Sequence, residues 1–403
     1  MKNDITIAFL GTLVPDEKEF NNQAFYRSAN LVQAGILENL NKYSELKILS
    51  SQPIPTFPKN KSFFCKRKVL NYSDKIKITT IPAINIVVLR EIIRGIYAFF
   101  SLAFWAIKNY NKKRCIFVYN TYSPPLPMVY FISKITNSKL IAIIYDLGMP
   151  PKSLKLDFFR RFIYQLVELS AKLIIPCLDG RIVITEAIAH DYAPGKHFLM
   201  IDGGISENIV NHLFPLEYNE KRDKTNFLCA GSLWSGNGIK HLLDSLKINK
   251  NPKIKIFFAG KGPDLDLILN ASKNDDRIQY LGMLSTQELF EVYKKVDVLL
   301  NIRVIPSEEG RYLFPSKLLE YLVVGKFVVT TKAVHIEKEY GNYCYVLNDI
   351  EPKTISEMFD EVSEISNETF LNKGLNSRNY MLKNNTWEAK TEQIINYIQN
   401  EVV

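Results

Sequence analysis

Cysteine and histidine are sparse and scattered in this chain. Cys65, Cys115, Cys177, Cys229 and Cys344 are odd in number and widely spaced, with no CxxC and no Cys/His zinc spacing. Cys115, Cys229 and Cys344 fall inside apolar runs and read as reduced core residues, which fits a reducing compartment. His190, His197, His212, His241 and His335 stand alone and form no metal or catalytic constellation. Long runs of one charge are also missing. Lysine and arginine exceed the acids, giving a net charge of +9 and a pI near 9.0. They form only short clusters, such as Lys66-Arg67-Lys68 and Lys112-Lys113-Arg114. Such a balance favours anionic lipid surfaces or phosphorylated substrates, while the lack of a basic tail or recognition motif argues against nucleic acid. Gly95 to Ile107 is a run of 13 uncharged residues between basic flanks. It is too short to cross roughly 30 Å of hydrocarbon. It is either a buried helix or an apolar, aromatic face lying on an anionic membrane. Met1-Lys2-Asn3-Asp4-Ile5 leads straight into a strand, so no secretory signal is expected. Internal repeats and low-complexity tracts are absent.

Alternation is what the sequence does have. Apolar strand-like runs recur with helical patterns between them: Ile5 to Leu10, Leu46 to Ser50, Ile76 to Ile81, Ile116 to Tyr119, Leu140 to Tyr145, Ile182 to Ile184 and Phe198 to Ile201. Asn22 to Leu40 has helical period. A second series follows: Phe227 to Ala230, Ile254 to Ala259, Ile278 to Leu281, Val298 to Ile302, Phe327 to Thr330 and Tyr343 to Leu347. Near-continuous apolar strands joined by helices predict an α/β protein with parallel sheets covered on both faces. The polar stretch 214–225 reads as a linker between a first domain (1–213) and a second (226–385). A last helix (386–403) starts at Thr386, a plausible N-cap. Two such domains would meet at a cleft lined by the C-terminal ends of their strands. No GxGxxG follows the first strand, which ends in Gly11-Thr12-Leu13, and this disfavours a dinucleotide-dependent enzyme.

The densest signal is Phe314-Pro315-Ser316-Lys317-Leu318-Leu319-Glu320-Tyr321-Leu322-Val323-Val324-Gly325-Lys326-Phe327-Val328-Val329. It reads as a helix running directly into a buried strand. Pro315 suits the helix start and Gly325 its left-handed end. Free N–H groups and the helix dipole at Ser316 and Lys317 attract anions. Glu320 lies one turn on, off the apolar face. It is either within reach of a ribose attached to a phosphate there, or a solvated acid on an ordinary amphipathic helix.

The string resembles the donor-nucleotide helix of family 4 (group 1) glycosyltransferases, in which the Glu at this position binds the ribose of a nucleotide sugar. The resemblance implies a GT-B fold of two Rossmann-like domains, with the first matched only loosely. It implies donor-binding roles for Gly231, Ser232 and Gly238 in the loop Gly231-Ser232-Leu233-Trp234-Ser235-Gly236-Asn237-Gly238, and for Lys261, Met283, Arg303, Ser316, Lys317, Leu318 and Glu320. The family's usual loop Arg and Lys fall on Ser232 and Asn237, so the diphosphate's positive partners must come from elsewhere. Arg303 and Arg311 are the candidates, each alternatively a surface arginine. The family's second acid falls on Tyr312, leaving Glu308 and Glu309 as substitutes. Tyr145 stands where members often carry His, while Asp146 remains. Asp146 is then an acceptor-binding or acid/base group, or a turn residue. Gly11 and Thr12 form an acceptor-side loop, and Asp202-Gly203-Gly204-Ile205 resembles a turn beside the cleft.

The expected function is retaining, metal-independent sugar transfer to a glycan or lipid-linked acceptor in surface polysaccharide synthesis. Arg303, Lys317 and Asp146 would carry the chemistry. No cofactor is expected beyond the nucleotide sugar itself, with a UDP-sugar ahead of other donors. A non-catalytic GT-B subunit is the alternative. The location expected is cytoplasmic, with the inner membrane face as the alternative to free solution.

Overall fold

A computed structural model of the chain describes residues 5–17, 20, 27–121, 125–148, 158–216, 223–304 and 310–403. The chain divides into two compact units: Met1–Gly204 with Trp387–Val403, and Ile205–Thr386. The division falls at Gly204, ahead of the 214–225 stretch.

Unit 1 contains β1 (Ile5–Gly11), α1 (Arg27–Leu40), β2 (Leu46–Ser50), β3 (Phe64–Cys65), β4 (Val69–Ser73), β5 (Ile76–Thr80), β6 (Ala83–Ile84), α2 (Leu89–Lys108), β7 (Lys113–Tyr119), α3 (Leu126–Ile135), β8 (Lys139–Ile144), α4 (Phe158–Ile174), β9 (Gly180–Val183), α5 (Glu186–Tyr192) and β10 (Leu199–Met200). Its main sheet runs β10-β9-β8-β7-β1-β2-β5-β4. The central strands are buried on both faces, as their unbroken apolar sequences require. The sheet is not wholly parallel. β4 pairs antiparallel with β5, and a separate two-stranded ribbon joins β3 to β6. Of these segments only β5 matches an expected strand, the Ile76 to Ile81 run; β3, β4 and β6 are short and lack the apolar run that marks the core strands. The strand order reverses between β1 and β7, whose loops begin at Thr12 and Asn120.

Unit 2 contains α6 (Glu207–Asn211), β11 (Thr225–Ser232), α7 (Ile239–Ile248), β12 (Ile254–Lys261), α8 (Leu265–Ser272), β13 (Ile278–Tyr280), α9 (Thr286–Lys295), β14 (Val298–Asn301), α10 (Lys317–Val324), β15 (Phe327–Thr331), α11 (Val334–Tyr340), β16 (Tyr345–Leu347), α12 (Pro352–Ser363) and α13 (Asn367–Asn384). Its sheet, β13-β12-β11-β14-β15-β16, is parallel throughout. The order reverses between β11 and β14. The chain then returns to unit 1 as α14 (Trp387–Tyr397). There the Trp387 indole seats against Gly35 and Gly204, where an added Cβ would lie 2.3 and 2.4 Å from the ring. Gly204 and its neighbour Asp202, expected beside a cleft, thus form the seat of this helix.

The apolar run Gly95 to Ile107 lies inside α2 and is part buried, part exposed. Gly95, Ala98, Leu102, Trp105 and Ala106 are buried, whereas Ile96, Phe100, Phe104 and Ile107 are exposed. No helix among the described residues is long and apolar enough to cross a membrane.

Candidate functional site

The strongest site sits at the reversal point of the unit 2 sheet, where open α/β sheets bind ligands beyond their strand ends. Three segments meet there. The first is the loop after β11. Gly238 has φ +69° and opens α7, and a Cβ on it would lie 2.5 Å from Ile302. β11 and β12 also approach closely: a Cβ on Gly260 would come 1.8 Å from Gly231 O, so only glycine fits this crossing. Ser232 and Lys261 are exposed at the two strand ends, and Met283 is exposed after β13.

The second segment follows β14. Arg303 Nη1 donates to Asn237 Oδ1 at 2.5 Å, and Asn237 Nδ2 donates to Ser232 O at 2.5 Å. Asn237 therefore ties the arginine to the glycine loop. The Arg303 backbone N–H donates to Thr331 Oγ1. Among the described residues no carboxylate pairs with Arg303. Burial pulls its pKa down, with Tyr321 and Cys229 opposing. A half-buried guanidinium with no carboxylate partner among the described residues can receive an anion. Arg311 lies apart in a short 3-10 turn (Gly310–Tyr312), its guanidinium 5.5 Å from the Tyr312 ring centre. Glu308 and Glu309 lie outside the described residues.

The third segment is α10. Gly325, at φ +77°, is its C-cap, as the sequence implies; Ser316 occupies the N-cap, so Pro315 lies just before the helix rather than at its first position. Leu318 is fully buried and donates its N–H to Pro315 O, which leaves Ser316 and Lys317 as the open amide positions. Glu320 is half-buried. Its Oε1 accepts from Tyr293 Oη at 2.6 Å and from Lys317 Nζ at 2.8 Å. Its Oε2 carries no hydrogen bond among the described residues. Tyr293, on α9, is completely buried; burial raises its pKa well above the ordinary phenol value, with Glu320 adding to the shift. Tyr321 points the other way. Its hydroxyl accepts from Ala230 N–H and donates to Ala230 O, which fastens α10 to the end of β11. The arrangement offers a carboxylate for hydroxyls and, one helical turn away, a lysine and open amides for phosphate.

Two of these contacts escape a reading of the sequence. Tyr293 carries a faint signal: it follows Phe290 on the buried face of α9, and a buried phenol needs a partner. Asn237 carries none, since its role depends on Arg303, 66 residues away.

The residues expected in unit 1 lie at strand ends with partners of their own. Asp146 is exposed and its Oδ1 accepts from Gly148 N–H at 2.8 Å, a turn role. Its backbone is fixed by Asn120 Oδ1, which accepts the N–H groups of Tyr145 and Asp146. Tyr145 is half-buried, its hydroxyl is enclosed with no hydrogen-bond partner among the described residues, and burial raises its pKa strongly. Thr12 exchanges hydrogen bonds with Gln33, through its own N–H and its hydroxyl, and Gly11 packs on the same side chain. Met149, Pro150 and Pro151 fall outside the described residues.

This fold and site define a class: α/β proteins with two doubly wound units and an anion-ready sheet reversal in the second. Comparison with known proteins makes the class specific. Residues 224–365 match the family model described as Glycosyl transferases group 1. Over its whole length the chain superposes on solved GT-B structures. Sucrose-phosphate synthase from Thermosynechococcus elongatus matches with a TM-score of 0.65 at 13% identity over 98% of both chains. HepE from Anabaena, in complex with UDP, gives 0.64 at 13% identity over 98% of this chain and 99% of the other. The lipopolysaccharide outer core galactosyltransferase WaaB gives 0.63 at 14% identity with the same coverage. No curated protein sequence matches. Residues 224–365 are thus similar to the group 1 glycosyl transferases, and the chain has the GT-B fold.

Proposed function

We propose that this enzyme moves a sugar from a nucleotide sugar, a UDP-sugar foremost, to a glycan or lipid-linked acceptor in surface polysaccharide synthesis. One observation carries the donor assignment. Glu320 is oriented by Tyr293 and Lys317 one turn into α10, while Arg303, with no carboxylate partner among the described residues, is tied to the glycine loop by Asn237. Glu320 Oε2 accepts the ribose hydroxyls. Arg303, Lys317 and the open amides of Ser316 and Lys317 take the diphosphate. Catalysis then rests on positioning and on neutralising the leaving diphosphate, which needs no metal and suits a retaining transfer. Asp146, whose Oδ2 has no hydrogen bond among the described residues, serves the acceptor side together with Gly11 and Thr12. UDP in HepE supports the choice of base. The place of action proposed is the cytoplasm, at the inner face of the membrane.

The test is turnover with a panel of UDP-, GDP- and dTDP-sugars and a membrane lipid extract, with and without EDTA. Transfer or donor hydrolysis with one member of the panel, insensitive to EDTA, is expected. An absence of turnover, together with no nucleotide binding by calorimetry, overturns the reading.

A further inference from the structure

Unit 1 carries a surface that the donor site does not use. The crossovers after β7 and β8 place α3 and α4 on one face of the sheet, and α2 packs beside α3. Phe99 of α2 stacks on Phe131 of α3, with ring centres 6.4 Å apart. The outer side of such a layer is expected to be polar. Here it is apolar. On α2, Ile92, Ile96, Phe100, Phe104 and Ile107 form one stripe, with Phe100 67% and Phe104 70% exposed. Phe131 on α3 is 61% exposed. On α4 the stripe is Phe158, Phe162, Leu166, Leu169 and Leu173, with Phe158 87% exposed. Those four most exposed rings alone present on the order of 500 Å² of apolar surface, as much as the largest patch of a typical monomer.

α4 makes the point most sharply. Among its described side chains only Ala171 is buried. Most helical stability comes from packing an apolar face, and this helix leaves its apolar face in water. Something must cover it, and the charges indicate what. Segments 59–68, 89–114, 126–139 and 158–177 contain two carboxylates, Glu91 and Glu168. Both are already paired, Glu91 with Arg90 and Arg94, and Glu168 with Lys172. Exposed cations surround the stripes. Arg67 bonds Tyr97 of α2, Lys108 ends α2, Lys113 follows it, and Arg161 precedes Phe162.

We propose that α2, α3 and α4 form a docking face for an anionic lipid bilayer, with the three apolar stripes entering the headgroup boundary and the lysines and arginines holding anionic headgroups. The face lies wholly within unit 1. It is independent of which sugar the enzyme moves, and it would bring the enzyme to a membrane-borne acceptor.

The experiment is flotation of the full chain with vesicles of phosphatidylcholine alone and of phosphatidylcholine with phosphatidylglycerol. Binding to the second and not the first, lost as salt rises from about 0.1 M to about 1 M, is expected. Phe104→Glu and Phe162→Glu each lower that binding roughly tenfold or more. Their side chains point into water, so far-ultraviolet circular dichroism stays that of the parent. Donor binding by calorimetry is also unchanged, which keeps a failure here distinct from a failure of the transfer reading. A second probe uses Phe104→Cys with a polarity-sensitive dye, in a Cys177→Ser background because Cys177 is exposed. Its emission shifts to the blue on anionic vesicles. Absence of parental binding, undiminished binding by both glutamate variants, or no dye shift overturns the proposal. So does a dimer in light scattering that Phe162→Glu dissolves without any vesicle binding, since the face then belongs to a second copy.

Discussion

Tyr293 donates its phenol hydrogen to Glu320 Oε1 across 2.6 Å, joining α9 to α10. Lys317 Nζ reaches the same oxygen at 2.8 Å. The carboxylate is thus fixed through one oxygen and presented through the other. Glu320→Ala is expected to weaken nucleotide-sugar binding by about 1.5–3 kcal/mol, the worth of a hydrogen bond to a charged group. Tyr293→Phe keeps the carboxylate but loosens it, and its effect is smaller, about 0.5–1.5 kcal/mol. Calorimetry with the donor ranks parent, Tyr293→Phe and Glu320→Ala in falling affinity. Equal affinity in parent and Glu320→Ala sinks the ribose assignment.

Arg303 and Asn237 form the second pair to test. Arg303→Ala removes the proposed diphosphate partner, while Arg303→Lys retains a charge without the planar fork. Turnover falls further in the alanine variant than in the lysine variant. Asn237→Ala leaves the guanidinium in place but frees it from Ser232, so a smaller loss of turnover is expected. Steady-state rates with saturating donor check the order. Parental rates in both Arg303 variants assign the diphosphate to other groups.

Much of this architecture is legible in the sequence, and the exceptions share a cause. Gly325 ends α10 as expected, with the start displaced from Pro315 to an N-cap at Ser316, and Ser285 with Glu288 forms a capping box before α9. The unbroken apolar runs of β7, β8, β14 and β15 mark central strands. Signals of this kind are local. Tyr293–Glu320 and Arg303–Asn237 span 27 and 66 residues, and no periodicity encodes which distant side chain a polar group will meet. β5 is legible as the Ile76 to Ile81 run, but its antiparallel partner β4 is hidden for another reason: Val69, Asn71 and Ser73 alternate with Leu70 and Tyr72 and give no continuous apolar run. The outward stripe of α4 is a third case, because a helical period is the same whether it faces core or water.

Alkaline pH provides a separate test of unit 2. Burial raises the Tyr293 and Tyr321 phenols well above the ordinary value, which is about 10. The folded state keeps these protons while the unfolded chain releases them. Their stabilisation is therefore complete below about pH 10 and is lost as the pH rises from there toward the folded values. Urea midpoints for unit 2 should hold up to about pH 10 and then fall. Tyr293→Phe, which cannot ionise, flattens that fall. An identical alkaline slope in parent and mutant removes Tyr293 from the explanation.

The C-terminal helix offers the sharpest stability prediction. Lys390 on α14 lies 3.4 Å from Asp202, and both are nearly inaccessible to water. A buried charge left without its partner typically costs about 3–5 kcal/mol, whereas replacing both partners by neutral groups costs far less. Lys390→Met should therefore lower the urea midpoint of unit 1 strongly, and Asp202→Asn added to it should restore much of the loss. Trp387→Ala is expected to cost a further ~3–5 kcal/mol, because the space between Gly35 and Gly204 is filled by the indole. Gly204→Ala should act in the same direction, since its new methyl meets that ring rather than solvent. Far-ultraviolet circular dichroism follows these unfolding curves without relying on the deleted tryptophan. If the double variant at 202 and 390 is no more stable than Lys390→Met alone, the two charges are not coupled. The helix would then be held by the Trp387 packing and the hydrogen bonds of Tyr397 to Arg181 and His197.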